Sequence, residues 1–260
     1  MMDSPSFMEY LRQVAPETLP AAGGAAMPAV HGTTIVAARY RDGVVMAGDR
    51  RATMGTAIAM RDIEKVFGAD DLSIIGVAGV AGLAVELVRL FQVELEHFEK
   101  VEGTQLSFDG KANRLSSMLR ANLPQAMQGM VVLPLFVGWD ERALRGRMFS
   151  YDATGGRYEE HQYCSVGSGA AFARGALKKL HDPDADERSA VAALLQSLYD
   201  AADDDSATSG LDLTRGIFPL VLRASAAGVA RWSEEGVREL AHTIVAARTA
   251  RPDGPRGYAL

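Results

Sequence analysis

Apolar residues cluster in short blocks along the chain, and two of them flank a clear turn. Thr34-Ile35-Val36-Ala37-Ala38 and Val44-Val45-Met46-Ala47 are separated by Arg41-Asp42-Gly43. Such runs around a glycine turn predict a hairpin. Leu72 to Ala78 predicts a further strand, and the glycines from Gly79 to Gly82 allow a tight exit from it. The period then changes. Leu83, Leu87, Leu90, Phe91, Leu95 and Phe98 recur at helical spacing, with Glu86, Arg89, Glu94 and Glu96 elsewhere on the wheel. This predicts an amphipathic helix of about five turns. Leu115, Met118, Leu119 and Leu123 mark a second one over Lys111 to Met127, which Pro124 should end or kink.

Val131 to Trp139, Arg145 to Tyr151 and Arg157 to Val166 predict three successive strands of an antiparallel meander. Helices follow over Ala170 to Leu180 and Glu187 to Ala202, then strands over Gly216 to Ala224 and Gly228 to Trp232, then a helix from Glu235 to Ala247. Strands grouped with strands, and helices in pairs, predict an α+β fold rather than an alternating parallel one. The two ends differ from this body. After a short candidate helix over Phe7 to Val14, Leu19 to Gly32 is almost entirely Ala, Gly and Pro with Met and Val, a segment that buries little and is expected to be mobile. Arg251 to Leu260, with Pro252, Gly254, Pro255 and Gly257, is expected to be a disordered tail.

Composition narrows the function. A chain of 260 residues with 48% hydrophobic and 23% charged content has the make-up of an ordinary globular protein. A formal charge of -6 argues against phosphate-backbone binding, and Arg50-Arg51 is too short a basic run to change that. Cys164 is the only cysteine, so no intrachain disulfide forms. No stretch approaches the roughly 20 apolar residues of a membrane span. The first residues carry Asp3 and Glu9 and lack a basic start, which disfavours a secretory signal and leaves the cytoplasm as the expected location. His31, His97, His161, His181 and His242 lack metal-site spacing, so no metal or other cofactor is implied. Gly167-Ser168-Gly169 lacks the ending of a phosphate loop, and no nucleophile elbow supports a Ser-His-Asp triad.

Candidate chemistry centres on His31-Gly32-Thr33-Thr34. A threonine hydroxyl is a poor nucleophile unless a base takes its proton, and the nearest base to a chain-terminal threonine is its own α-amine. A cut after Gly32 would create that amine at Thr33. Its ordinary pKa of roughly 7.7 to 8.0 leaves much of it neutral near pH 7.5. Asp49 and Lys65 follow in Gly48-Asp49-Arg50-Arg51-Ala52-Thr53 and Glu64-Lys65-Val66; spacing alone reads them as an ordinary ion pair.

These residues, with Gly76-Val77-Ala78-Gly79 and Gly167-Ser168-Gly169, carry a resemblance that extends from Thr33 to about Glu239. The chain resembles the β subunits of bacterial proteasome core particles, of the actinobacterial kind. The resemblance implies a four-layer αββα sandwich of the N-terminal nucleophile hydrolase type. It implies a propeptide over residues 1–32, removed by cleavage between Gly32 and Thr33, a catalytic domain over 33–250, and a tail over 251–260.

It also implies roles. Thr33 is the nucleophile, Lys65 faces its hydroxyl, Asp49 orients Lys65, and Gly79 rather than Gly76 donates to the oxyanion. Ser168, Asp205 and Thr208 hydrogen-bond near the Thr33 amine. In Asp205-Ser206-Ala207-Thr208-Ser209 the chain departs from the usual Asp-x-x-Ser-Gly, with Thr208 at the serine and Ser209 at the glycine. A shift of one would instead put Ser209-Gly210 on the motif. Ala52, Ile63, Val77, Ala81 and Val85 line the pocket for the residue before the cut, all apolar, and Thr53 holds the substrate extended.

The implied activity is threonine-type endopeptidase hydrolysis of unfolded proteins, mainly after hydrophobic residues, inside stacked seven-membered rings. The implied partners are α-subunit rings, other β subunits and an ATP-driven unfoldase ring. Two alternatives stay open: a non-catalytic ring subunit of the same fold, and the simpler two-ring bacterial threonine protease.

Overall fold

The computed structural model describes residues 32–254. The candidate helix over Phe7 to Val14, most of the expected propeptide and the tail beyond residue 254 lie outside the described residues. Twelve strands and six helices follow in order among the described residues. β1 (Thr34–Tyr40) and β2 (Gly43–Gly48) form the expected hairpin. β3 (Ala52–Met54), β4 (Ala57–Met60) and β5 (Val66–Gly68) were not marked by hydrophobic periodicity, because they are only three or four residues long. β6 (Ser73–Gly79) leads into α1 (Ala81–Glu102), which closes on Gly103 in the left-handed region.

α2 (Phe108–Ala121) is capped by the Ser107 hydroxyl, which accepts from the Gly110 N–H at 3.2 Å. It stops at Asn122, and Pro124 stands in the first turn of the short α3 (Leu123–Met127), where its missing N–H costs nothing. Then come β7 (Val132–Asp140), β8 (Arg145–Tyr151), β9 (Arg157–Glu160) and β10 (Tyr163–Gly167), followed by α4 (Ala170–Leu180) and α5 (Glu187–Asp204). β11 (Leu220–Ser225), β12 (Gly228–Arg231) and α6 (Glu234–Ala250) complete the order.

The strands pair antiparallel in two five-stranded sheets, β10-β1-β2-β11-β12 and β5-β6-β7-β8-β9, with β3-β4 as a separate hairpin. The expected single strand from Arg157 to Val166 is therefore two strands. The chain bends at exposed His161 and Gln162, leaves β8, and runs beside β1, where Cys164 pairs with Ala37. Cys164 and Val166 thereby join an apolar cluster shared by both sheets, with Ile35, Met46, Ile74 and Leu135. A straight continuation would leave the β1 edge unpaired.

Alternation along β1 sends Ile35 and Ala37 to that shared cluster and Val36 and Ala38 to a second one with Leu177 of α4, Leu194 and Leu198 of α5 and Ile244 of α6. In β6, Ile74 and Ala78 face the shared cluster, whereas Ile75 and Val77 meet Phe91 and Leu95 of α1 and Leu115 of α2. Both faces of β1 and β6 are buried against apolar side chains, so these strands read as continuous hydrophobic runs. Residues 251–254 of the expected tail are described: Arg248 Nη1 donates to the Pro252 carbonyl at 3.1 Å.

The topology gathers strand ends at one place. Asp49 follows the end of β2 and donates its N–H to the Thr34 carbonyl at 3.1 Å. Lys65 precedes β5, and its carbonyl accepts from the Val77 N–H at 2.9 Å. Thr33 precedes β1, Ser168 follows β10, Gly79 ends β6, and Asp205 caps α5.

Candidate active site

Thr33 is buried beside the turn at the end of β10. Its carbonyl accepts from the Ser168 N–H at 2.9 Å and lies 3.3 Å from the Ser168 hydroxyl. Gly167 makes this approach possible: its φ is +106°, and a Cβ there would fall 1.9 Å from the Thr33 carbonyl oxygen.

Gly32 is constrained in the same way. Its φ is +99°, and a Cβ would lie 2.6 Å from Thr53 Oγ1 and 3.1 Å from the Ala207 carbonyl oxygen. The Gly32 carbonyl oxygen is the focus of the site. Thr33 Oγ1 donates to it at 2.6 Å, and Lys65 Nζ donates to it at 3.1 Å. The Lys65 ammonium thus reaches the oxygen of the Gly32–Thr33 bond, the same atom to which the Thr33 hydroxyl donates.

Lys65 spends its other two N–H groups on Asp49 Oδ1, at 2.6 Å, and on the Arg51 carbonyl. Asp49 Oδ1 also accepts from the Thr34 N–H at 2.7 Å, and Oδ2 accepts from the N–H groups of Arg51 and Ser209 at 2.9 and 3.0 Å. A buried charge needs this saturation. Burial pushes the Lys65 ammonium below its ordinary pKa, against the opposing pull of Asp49.

A second polar cluster lies behind Thr33. Asp205 Oδ2 is 2.6 Å from both the Ser168 and the Thr208 hydroxyls, and Asp205 Oδ1 accepts from the Ala207 N–H at 3.1 Å. Thr208 Oγ1 stands 2.5 Å from Thr34 Oγ1, which accepts from the Gly169 N–H at 2.9 Å. The Thr208 hydroxyl therefore meets Asp205, while the Ser209 hydroxyl turns toward Asp49, 3.3 Å from Oδ2. Burial pushes the Asp205 carboxyl up, but the two hydroxyls, the Ala207 N–H and the Arg51 charge together hold it below the usual carboxylate range.

A small cavity opens beside Thr33, lined by apolar Ala52, Ile63, Val77, Ala81 and Val85, by Gly79, and by Lys65. Gly76 lies elsewhere, between the sheets, against Met46 and Ile35. Thr53 sits against Gly32 rather than in the cavity wall. Sequence reasoning missed Phe67, Glu64 and Ala84 in the lining. It also missed Thr34, Ser209 and the Arg51 carbonyl as partners of the charge pair; Thr34 was visible as half of the Thr-Thr pair, whereas a backbone carbonyl carries no side-chain signal.

A threonine hydroxyl and a buried ammonium thus converge on one peptide carbonyl, beside an apolar cavity. A family model described as "Proteasome subunit" matches residues 29–213. The chain is 58% identical to a protein named "Proteasome subunit beta" from Acidothermus cellulolyticus, over 96% of this chain and 89% of that one. It is 55% identical to a protein of the same name from Streptomyces griseus subsp. griseus, over 99% and 93%. A third of that name, from Rhodococcus jostii, is 57% identical over 94% and 90%. The chain belongs to the proteasome subunit family, as a β subunit of the threonine endopeptidase class.

Proposed function

We propose that Thr33 is the nucleophile, first of its own release and then of substrate hydrolysis. The observation that carries this reading is the convergence of Thr33 Oγ1 and Lys65 Nζ on the Gly32 carbonyl oxygen. In the unprocessed chain Thr33 Oγ attacks the Gly32 carbonyl carbon while Lys65 stabilises the developing oxyanion. The acyl group passes from the Thr33 nitrogen to Oγ, which frees the amine and leaves an ester. Water hydrolyses the ester and releases residues 1–32 as a propeptide.

In the mature chain the Thr33 amine takes the proton from Oγ as Oγ attacks the substrate carbonyl. The amine passes that proton to the leaving amine, an acyl ester remains, and water completes hydrolysis. Lys65, oriented by Asp49, favours the ionised hydroxyl; Ser168, Asp205 and Thr208 orient the amine; Gly79, on the cavity rim, supplies an oxyanion donor. The apolar lining favours hydrophobic residues before the scissile bond, and Thr53 holds the substrate extended.

The three apolar clusters, one between the sheets and one on each outer face, support a four-layer αββα sandwich. As a proteasome β subunit the chain assembles into core-particle rings with α subunits. We place it in the cytoplasm, in a barrel of stacked seven-membered rings fed with unfolded protein by an ATP-driven unfoldase ring. No described helix is long and apolar enough to cross a membrane.

Assembled particles carrying Thr33→Ala test the reading against a peptide with leucine before the scissile bond. Loss of hydrolysis is expected. Hydrolysis at the wild-type rate would overturn it, in favour of a structural role for this chain.

A further inference from the structure

Residues 61–64, between β4 and β5, form no regular element, yet Ile63 and Glu64 contribute to the cavity wall beside Thr33. Arg50 holds this segment at three points. The Ile63 N–H donates to the Arg50 carbonyl at 3.1 Å. Arg50 Nε donates to the Ile63 carbonyl at 3.0 Å, and Arg50 Nη2 donates to the Asp62 carbonyl at 2.5 Å. Two successive carbonyls turned to one guanidinium edge match the fixed fork of arginine, which a lysine ammonium on its flexible stem does not reproduce.

The other end of this clamp is anchored in the charge pair. The Arg50 N–H donates to the Ser209 hydroxyl at 3.0 Å, and the Ser209 N–H donates to Asp49 Oδ2 at 3.0 Å. The cavity wall is therefore referenced to the same carboxylate that holds Lys65. Glu64 has a separate tether to Arg231 at 3.1 Å, but both side chains are nearly half exposed, and such pairs contribute little. Arg50 itself does not line the cavity.

We propose that Arg50 is a specificity-positioning residue, whose clamp on the Asp62 and Ile63 carbonyls fixes the Ile63 wall and so sets the size of apolar residue accepted before the scissile bond. The proposal rests on the Thr33 reading of the site. Freeing the wall blurs the fit of a side chain without touching the reacting atoms. Discrimination falls, therefore, while turnover of a substrate too small to reach the wall is preserved.

The test uses assembled particles with Arg50→Ala and Arg50→Lys, alongside wild type and Thr33→Ala. Peptides differing only in Ala, Val, Leu or Phe before the scissile bond are compared by kcat and KM. A single methylene in a fitted pocket is worth about 10- to 200-fold. On that scale Arg50→Ala lowers the preference for the best large residue over Ala by at least about fivefold, mostly through KM, and Arg50→Lys shows part of that loss. Processing at Thr33 stays complete in both.

A uniform loss across all four peptides, or unchanged ratios, would overturn the proposal. Should Arg50→Ala not assemble, Arg50→Lys decides alone, and wild-type ratios in it refute the clamp. Failure of the underlying reading has a different signature, since Thr33→Ala would then retain hydrolysis.

Discussion

The ammonium of Lys65 lies 2.6 Å from Asp49 Oδ1, with the two side chains 4% and 0% exposed. Asp49 accepts on both oxygens, and its Oδ2 faces the N–H groups of Arg51 and Ser209. An asparagine there would turn an amide N–H₂ toward those two donors, or toward Lys65.

Asp49→Asn is therefore expected to destabilise the fold by about 3–5 kcal/mol, the range for breaking a buried pair and stranding one charge. Without the Asp49 charge the already depressed Lys65 pKa falls further. The unfolded chain then binds more protons than the folded one above the folded pKa, so stability rises with pH toward the ordinary lysine value. Denaturation midpoints of the variant should approach wild type as pH increases. A deficit that stays constant or grows with pH would contradict this.

Under the proposed cleavage after Gly32, this residue bears on maturation alone. Its positive φ costs a non-glycine residue about 1–2 kcal/mol, and the added methyl would meet Thr53 Oγ1 at 2.6 Å. Gly32→Ala is expected to displace the carbonyl from Thr33 Oγ1 and to slow removal of residues 1–32 by more than about tenfold, the effect of one to two kcal/mol or more on a barrier. A mass time course during assembly measures it. Processing at the wild-type rate would count against the geometry.

Asp205 gives a pH test of the same sign in the acid range, since its folded pKa is also depressed. Its folded pKa lies below the unfolded one, so its stabilisation is present above the ordinary carboxylate range, near about pH 4, and is lost as pH falls through the folded value. Thermal stability of the unprocessed Thr33→Ala chain should include an acid-labile component below about pH 4 that disappears in Thr33→Ala with Asp205→Asn. Identical acid limbs in the two chains would refute it.

Much of the fold was legible because both faces of its longer strands are apolar and its helices are amphipathic. Leu83 to Phe98 announced α1, and the glycine turn at Gly43 announced the β1–β2 hairpin. The crossing at His161 and Gln162 was not legible, since Arg157 to Val166 has a continuous strand composition and only tertiary pairing with β1 divides it. Thr33, Asp49 and Lys65 stood out through residue type and motif, and the resemblance, not spacing, assigned them chemistry. Arg50 escaped notice because its work is done on two backbone carbonyls. Phe67 lies in the three-residue β5, too short to mark itself by periodicity, and only the three-dimensional path of that strand brings it to the cavity.

The central claim is that Thr33 becomes a chain terminus through its own hydroxyl. Intact mass and N-terminal sequence of this chain, after assembly with its α subunit and beside Thr33→Ala, test it most directly. A chain that begins at Thr33, with the unshortened form in the Thr33→Ala particle, is the expected result. A wild-type chain that keeps residues 1–32 in a fully assembled, hydrolytically active particle would contradict it.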